Sequence, residues 1–133
     1  MKKLVIGNWK LYVGSPAEGK RLIRAIARSL PRGLKSTVVV CPPVAYASLL
    51  RDSYGGKRIA FGTQDVSFEV EGSHTGEISP RHLKESGIEY AIVGHMEKRA
   101  MGDTEGALDH YRMAVQAAPD DPANRVALGI LLE

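Results

Sequence analysis

Four short apolar runs, residues 4–6, 37–41, 58–62 and 89–93, recur along this chain, and each gives way within a few residues to a helix signal. No hairpin signal joins any two of them. Strict alternation of strand and helix with short connections predicts an α/β chain with a parallel sheet and helical crossovers. Crossovers of one hand curl such a sheet towards a barrel or a doubly wound layer.

The local signals agree with this alternation. Leu4-Val5-Ile6 is continuous and apolar, as expected of a strand buried on both faces. Ser15-Pro16-Ala17-Glu18 then reads as a helix start, with a Ser N-cap, Pro at the first helical position and Glu placed to close a capping box. Leu22, Ile23, Ile26, Ala27 and Leu30 share one helical face, and Pro31 and Gly33 end the helix. Thr37-Val38-Val39-Val40-Cys41 is a β-branched strand that Pro42-Pro43 cuts off, opening a helix over residues 44–51. A third strand spans 58–62. A polar loop covers 69–77, a short helix runs from Ser79-Pro80 to about Ser86, and Gly87 stops it before the fourth strand at 89–93.

Composition narrows the function classes. The chain has 133 residues, 44% hydrophobic and 25% charged, which suits a folded domain rather than disorder. Its net charge of +3 comes from scattered basic residues with few aromatics beside them, so nucleic acid is a poor fit and an anionic small substrate a better one. Cys41 is the single cysteine and offers no disulfide framework, in keeping with a cytoplasmic setting. The apolar start of residues 4–7 stops too early for a signal peptide, and no run is long enough to cross a membrane. His74, His82, His95 and His110 form no i, i+4 pair and have no cysteine partner, so no metal site is expected.

The polar punctuation is lopsided. Asn8, Lys10, Gln64, Asp65 and His95 all follow strand ends, the edge where parallel β/α folds place their chemistry. Lys10 offers a point charge suited to a phosphate or an enediolate oxygen. His95 stands between a short strand and a charged helix start. The helix dipole there disfavours the imidazolium and favours a neutral ring that donates to a carbonyl. Taken singly, Lys10 reads as easily as a solvated surface lysine and His95 as a loop residue.

In order along the chain come Ile6-Gly7-Asn8-Trp9-Lys10, Gly62-Thr63-Gln64-Asp65-Val66, Thr75-Gly76-Glu77-Ile78-Ser79 and Val93-Gly94-His95. Together these resemble the first half of the triosephosphate isomerase family over residues 3–104, and nothing resembling its second half follows. The resemblance implies a parallel four-stranded (β/α)4 half of a TIM barrel, since a complete barrel needs ~250 residues. It also implies a role in glycolysis and gluconeogenesis: interconversion of dihydroxyacetone phosphate and glyceraldehyde 3-phosphate without a cofactor. By that likeness Lys10 and His95 are catalytic, Asn8 and Lys10 bind substrate, and Glu97 supports the lysine. Thr75, Gly76 and Glu77 belong to the loop that enters the partner subunit of a homodimer. These roles are the family's own, with its histidine a neutral electrophile and a glutamate its base. Because that glutamate and the phosphate-gripping loops belong to the second half, weak or absent activity is expected.

Several positions depart from the family. His74 replaces a residue that is more often aromatic, a departure that bears on the family's dimer packing; Asp65 stands where Asn is usual, and Met96 and Lys98 replace Ser and Arg, and these three suggest relaxed constraint around the site. Residues 103–133 read differently from 1–102: Ala107, Leu108, Tyr111, Ala114 and Pro119, then Leu128-Gly129, resemble one tetratricopeptide unit. A helical tail packed on the half-barrel is expected there, with helix or strand left open for 126–133. Two further expectations follow: self-association through the open strand edges, and an alternative role as an assembly or interaction module using the tail.

Overall fold

The computed structural model describes residues 3–101. The elements run β1 (Leu4–Asn8), α1 (Pro16–Ser29), β2 (Thr37–Cys41), α2 (Val44–Ser53), β3 (Ile59–Thr63), α3 (Pro80–Glu85), β4 (Tyr90–Ala91) and α4 (Met96–Ala100). The strands pair in sequence order, and every pairing is parallel. This is the expected (β/α)4 half of a TIM barrel. The helical tail, its tetratricopeptide likeness and the 102/103 division lie outside the described residues. Residues 3–64 and 82–91 form one compact unit, and residues 65–81 and 92–101 belong to a second.

In the first unit the sheet is aligned by Asn8↔Cys41, Val40↔Phe61 and Gly62↔Tyr90. Val39, Val40, Cys41, Ile59 and Phe61 are buried in it, with Ile23 of α1 and Ala47 and Leu50 of α2. The strands approach closely at Gly62, where a Cβ would lie 2.7 Å from the Cys41 sulfur and 3.1 Å from the Tyr90 Cβ. Helices α1 and α2 meet at Gly19, where a Cβ would fall 2.8 Å from Leu50 Cδ1. Arg58 ties α1 to the start of β3. Its guanidinium donates to the carbonyls of Ala27 at 2.8 Å, Pro31 at 2.7 Å and also Leu30. The Ala27 carbonyl is one of the last four that a helix end leaves without an intrahelical partner.

Four expectations need correction. Val5 is 55% exposed rather than buried, because β1 pairs only with β2 among the described residues. Leu22 is also exposed, so the buried face of α1 narrows to Ile23 and its half-buried neighbours. Strand β4 is two residues long, not five. Its register ends at Thr63↔Ala91, where β3 itself ends, so residues after Ala91 have no strand to pair with among the described residues. The capping box closes one residue early: Ser15 Oγ accepts from the Glu18 N–H at 3.2 Å, while Glu18 Oε2 accepts from Gly14 rather than Ser15, at 2.9 Å.

In the second unit, the long loop is held by its own hydrogen bonds. The Ser67 N–H donates to the Ile78 carbonyl at 2.7 Å, and the buried Ser79 hydroxyl donates to the Val70 carbonyl and accepts from Arg81 N–H. No described helix is long and apolar enough to cross a membrane.

Candidate functional site

In the first unit Asn8 closes β1, and the chain turns at Lys10, which adopts φ +49°. That is the left-handed region, which costs a side-chain-bearing residue roughly 1–2 kcal/mol. Neighbours hold it there. The Lys10 N–H donates to Asn8 Oδ1 at 2.9 Å, a local turn of the Asx kind. The Gln64 side-chain nitrogen donates to the Lys10 carbonyl at 2.8 Å and to the Cys41 carbonyl at 3.1 Å. The Trp9 N–H continues the β1–β2 pairing to Cys41 at 3.0 Å. Asn8 and Lys10 are therefore brought together as the sequence suggested. The part played by Gln64 was not read from it. The only signal was a polar residue directly after an apolar strand.

In the second unit His95 directly precedes α4, and its ring is partly buried. The Glu97 N–H donates to His95 Nδ1 at 3.3 Å. A nitrogen that accepts cannot carry the proton, so this contact assigns the proton of the neutral ring to Nε2. Glu97 Oε2 lies 3.7 Å from Nδ1, outside hydrogen-bond reach. The sequence suggested that Glu97 served Lys10; in the structure its backbone N–H contacts the histidine. Asp65 and Lys98 are partners, with Nζ 2.7 Å from Oδ2. Two of the departures read from the sequence as relaxed constraint thus form one ion pair.

Thr75, Gly76 and Glu77 lie exposed in the long loop of this unit. Gly76 takes φ +88°, and the Glu77 N–H donates to the His74 carbonyl at 3.1 Å. Among the described residues no group of three His, Cys, Asp or Glu side chains is arranged to hold a metal.

The first unit also contains a cavity of about 780 Å³, bordered by Thr37, Ile59 and Tyr90. These residues stand at the starts of β2, β3 and β4, the end of the sheet opposite Asn8 and Lys10. Two of its basic side chains are already engaged, Arg51 with Asp52 at 2.9 Å and Arg58 with the α1 carbonyls. Asn8, Lys10 and Gln64 of this unit are not among the residues that line it.

The sequence model of the triosephosphate isomerase family matches residues 3–118, past the point where the motif resemblance stopped. The triosephosphate isomerase of Herpetosiphon aurantiacus is 36% identical over 117 residues, covering 87% of this chain and 46% of that protein. The enzyme of the same name from Xylella fastidiosa is 41% identical over 97 residues, covering 73% and 38%. The crystal structure of triosephosphate isomerase from Bartonella henselae superposes with a TM-score of 0.71 at 34% identity, covering 89% of this chain and 47% of that one. The chain spans about half the length of the curated relatives it matches. Half-barrel topology, ordered motifs and family match agree: this chain belongs to the triosephosphate isomerase family.

Proposed function

We propose that this polypeptide carries the electrophilic side of a triose-phosphate isomerising site. Lys10 supplies positive charge to the substrate's developing enediolate oxygen, Asn8 fixes the turn that presents Lys10, and His95 donates Nε2–H to the substrate carbonyl. The observation that carries this reading is the Glu97 N–H donating to His95 Nδ1, which leaves Nε2 as the donor. A neutral imidazole donor at a carbonyl oxygen stabilises charge as it develops, and needs no cofactor. Proton abstraction beside that carbonyl needs a base within about 2.6–3.2 Å of its target. This reading assigns that task to no residue among 3–101, so turnover by these 133 residues alone is expected to be weak or absent.

A coupled isomerase assay tests the reading, together with binding of a phosphorylated enediolate mimic followed by Trp9 fluorescence and His95 nuclear magnetic resonance. The mimic should shift both signals, and Lys10→Ala should abolish the shifts. Any turnover that survives Lys10→Ala belongs to a contaminant. Absence of binding at millimolar mimic overturns the proposal.

Self-association is part of the same reading, and the observation favouring it is the exposed Val5 on β1. Strands β1 and β4 each have one strand neighbour among the described residues, and open strand edges pair with other chains. Pairing β4 of one copy with β1 of a second, twice about a two-fold axis, would satisfy both edges. Native mass spectrometry at micromolar concentration should find a dimer, and a strictly monomeric chain overturns this arrangement.

A further inference from the structure

We propose that the Lys98–Asp65 ion pair is a positioning device for His95. This deepens the reading above and rests on it for why the ring's orientation matters. Lys98 is held at both ends. Its backbone N–H donates to the His95 carbonyl at 2.8 Å, closing the first turn of α4, and its ammonium sits 2.7 Å from Asp65 Oδ2. Glu97, the residue before Lys98 in this turn, donates its N–H to His95 Nδ1.

Helix α4 has only five residues, Met96–Ala100. A helix that short does not persist by its own hydrogen bonds, since nucleation is unfavourable and too few bonds follow to repay it. Something outside the turn must hold it. The pair joins the turn to the segment just after β3, at Asp65. Both side chains are partly exposed, 46% for Lys98 and 38% for Asp65. Such pairs add little to global stability, so this one acts chiefly through geometry. The order of dependence is ion pair, helical turn, Glu97 N–H, tautomer. When Lys98 releases Asp65 the turn frays, the Glu97 N–H leaves Nδ1, and the ring proton is free to exchange between its two nitrogens.

The tautomer can be read directly. In the full chain labelled with nitrogen-15, at a pH above the ordinary histidine range, His95 signals are assigned by their loss in His95→Gln. The native chain should show an unprotonated Nδ1 and a protonated Nε2. Lys98→Met should move both signals towards the averaged positions of a free neutral histidine, and Lys98→Arg should restore the native pattern. Asp65→Leu, similar in size and without an acceptor for the ammonium, should reproduce the effect of Lys98→Met and carries the test if Lys98→Met fails to fold. Thermal melting should change by only a few degrees in these variants, separating position from stability. A native tautomer pattern in both Lys98→Met and Asp65→Leu overturns the proposal, as does a shift that Lys98→Arg fails to reverse. Because no substrate is involved, failure of the mimic to bind would overturn the isomerase reading while leaving this result intact.

Discussion

The side-chain amide of Gln64 donates to the carbonyl of Lys10 at 2.8 Å, across a left-handed turn that a lysine does not adopt by preference. The same nitrogen reaches the Cys41 carbonyl at 3.1 Å, so one residue after β3 fastens the ends of β1 and β2. Gln64→Leu keeps much of the bulk and removes the donor to both carbonyls, of which that of Cys41 still accepts from the Trp9 N–H. The expected cost is about 1–3 kcal/mol in urea unfolding. A cost near zero would mean that the turn at Lys10 holds itself.

That turn separates strain from side-chain chemistry at one position. Lys10→Ala removes the ammonium but keeps a Cβ at φ +49°. Lys10→Gly removes both the charge and the steric conflict. The glycine variant should therefore be more stable than the alanine variant by about 1 kcal/mol, net of glycine's greater freedom in the unfolded chain. Both should lose binding of the phosphorylated mimic equally. Equal stabilities in chemical denaturation would contradict the strain.

What the sequence made legible is what local chemistry determines. Thr37–Cys41 is β-branched and ends at Pro42, so its boundaries are written in place, and Ser15-Pro16 marks the start of α1 as plainly. Features set by a distant partner were not legible. Strand β4 stops where β3 runs out, Val5 is exposed where β1 has one strand neighbour among the described residues, and Arg58 leaves its expected strand to bond the end of α1. The motif order singled out Asn8, Lys10 and His95, the residues proposed for the site. The contacts of Gln64 with Lys10 and of Asp65 with Lys98 span long chain separations that no local pattern records.

Packing between α1 and α2 depends on a missing side chain. At Gly19 a Cβ would lie 2.8 Å from Leu50 Cδ1 and 3.0 Å from Cδ2, so turning the leucine does not relieve the contact. Leu50 is fully buried and has nowhere to move. Gly19→Ala gains about 1 kcal/mol in helix propensity but meets an overpacking cost of about 1–3 kcal/mol, so a net loss is expected. Leu50→Ala alone should cost about 2–5 kcal/mol. The double variant should lose less than the sum, because each change fills or vacates the same space. Strict additivity would place the two residues out of contact.

Cys41 gives the fold an alkaline limit. The thiol is fully buried at the end of β2, and burial pushes its pKa from 9.0 up to about 12. The folded state therefore keeps its proton to a higher pH than the unfolded chain does. Below pH 9 neither state ionises, and this group adds nothing to the pH dependence. Between pH 9 and 12 the unfolded chain releases the proton first and is favoured, so stability falls as pH rises through that window. Cys41→Ala removes the group, so the comparison isolates it from the lysines and tyrosines that titrate nearby. From pH 8 to 11 the native chain should lose up to ~3 kcal/mol more than Cys41→Ala, measured by urea unfolding at each pH. A thiol reagent at pH 8 should correspondingly react with the native chain only as fast as it opens. Parallel stability curves for the two chains, or immediate labelling of the native thiol, would show that Cys41 is accessible to solvent and that the end of β2 is not sealed.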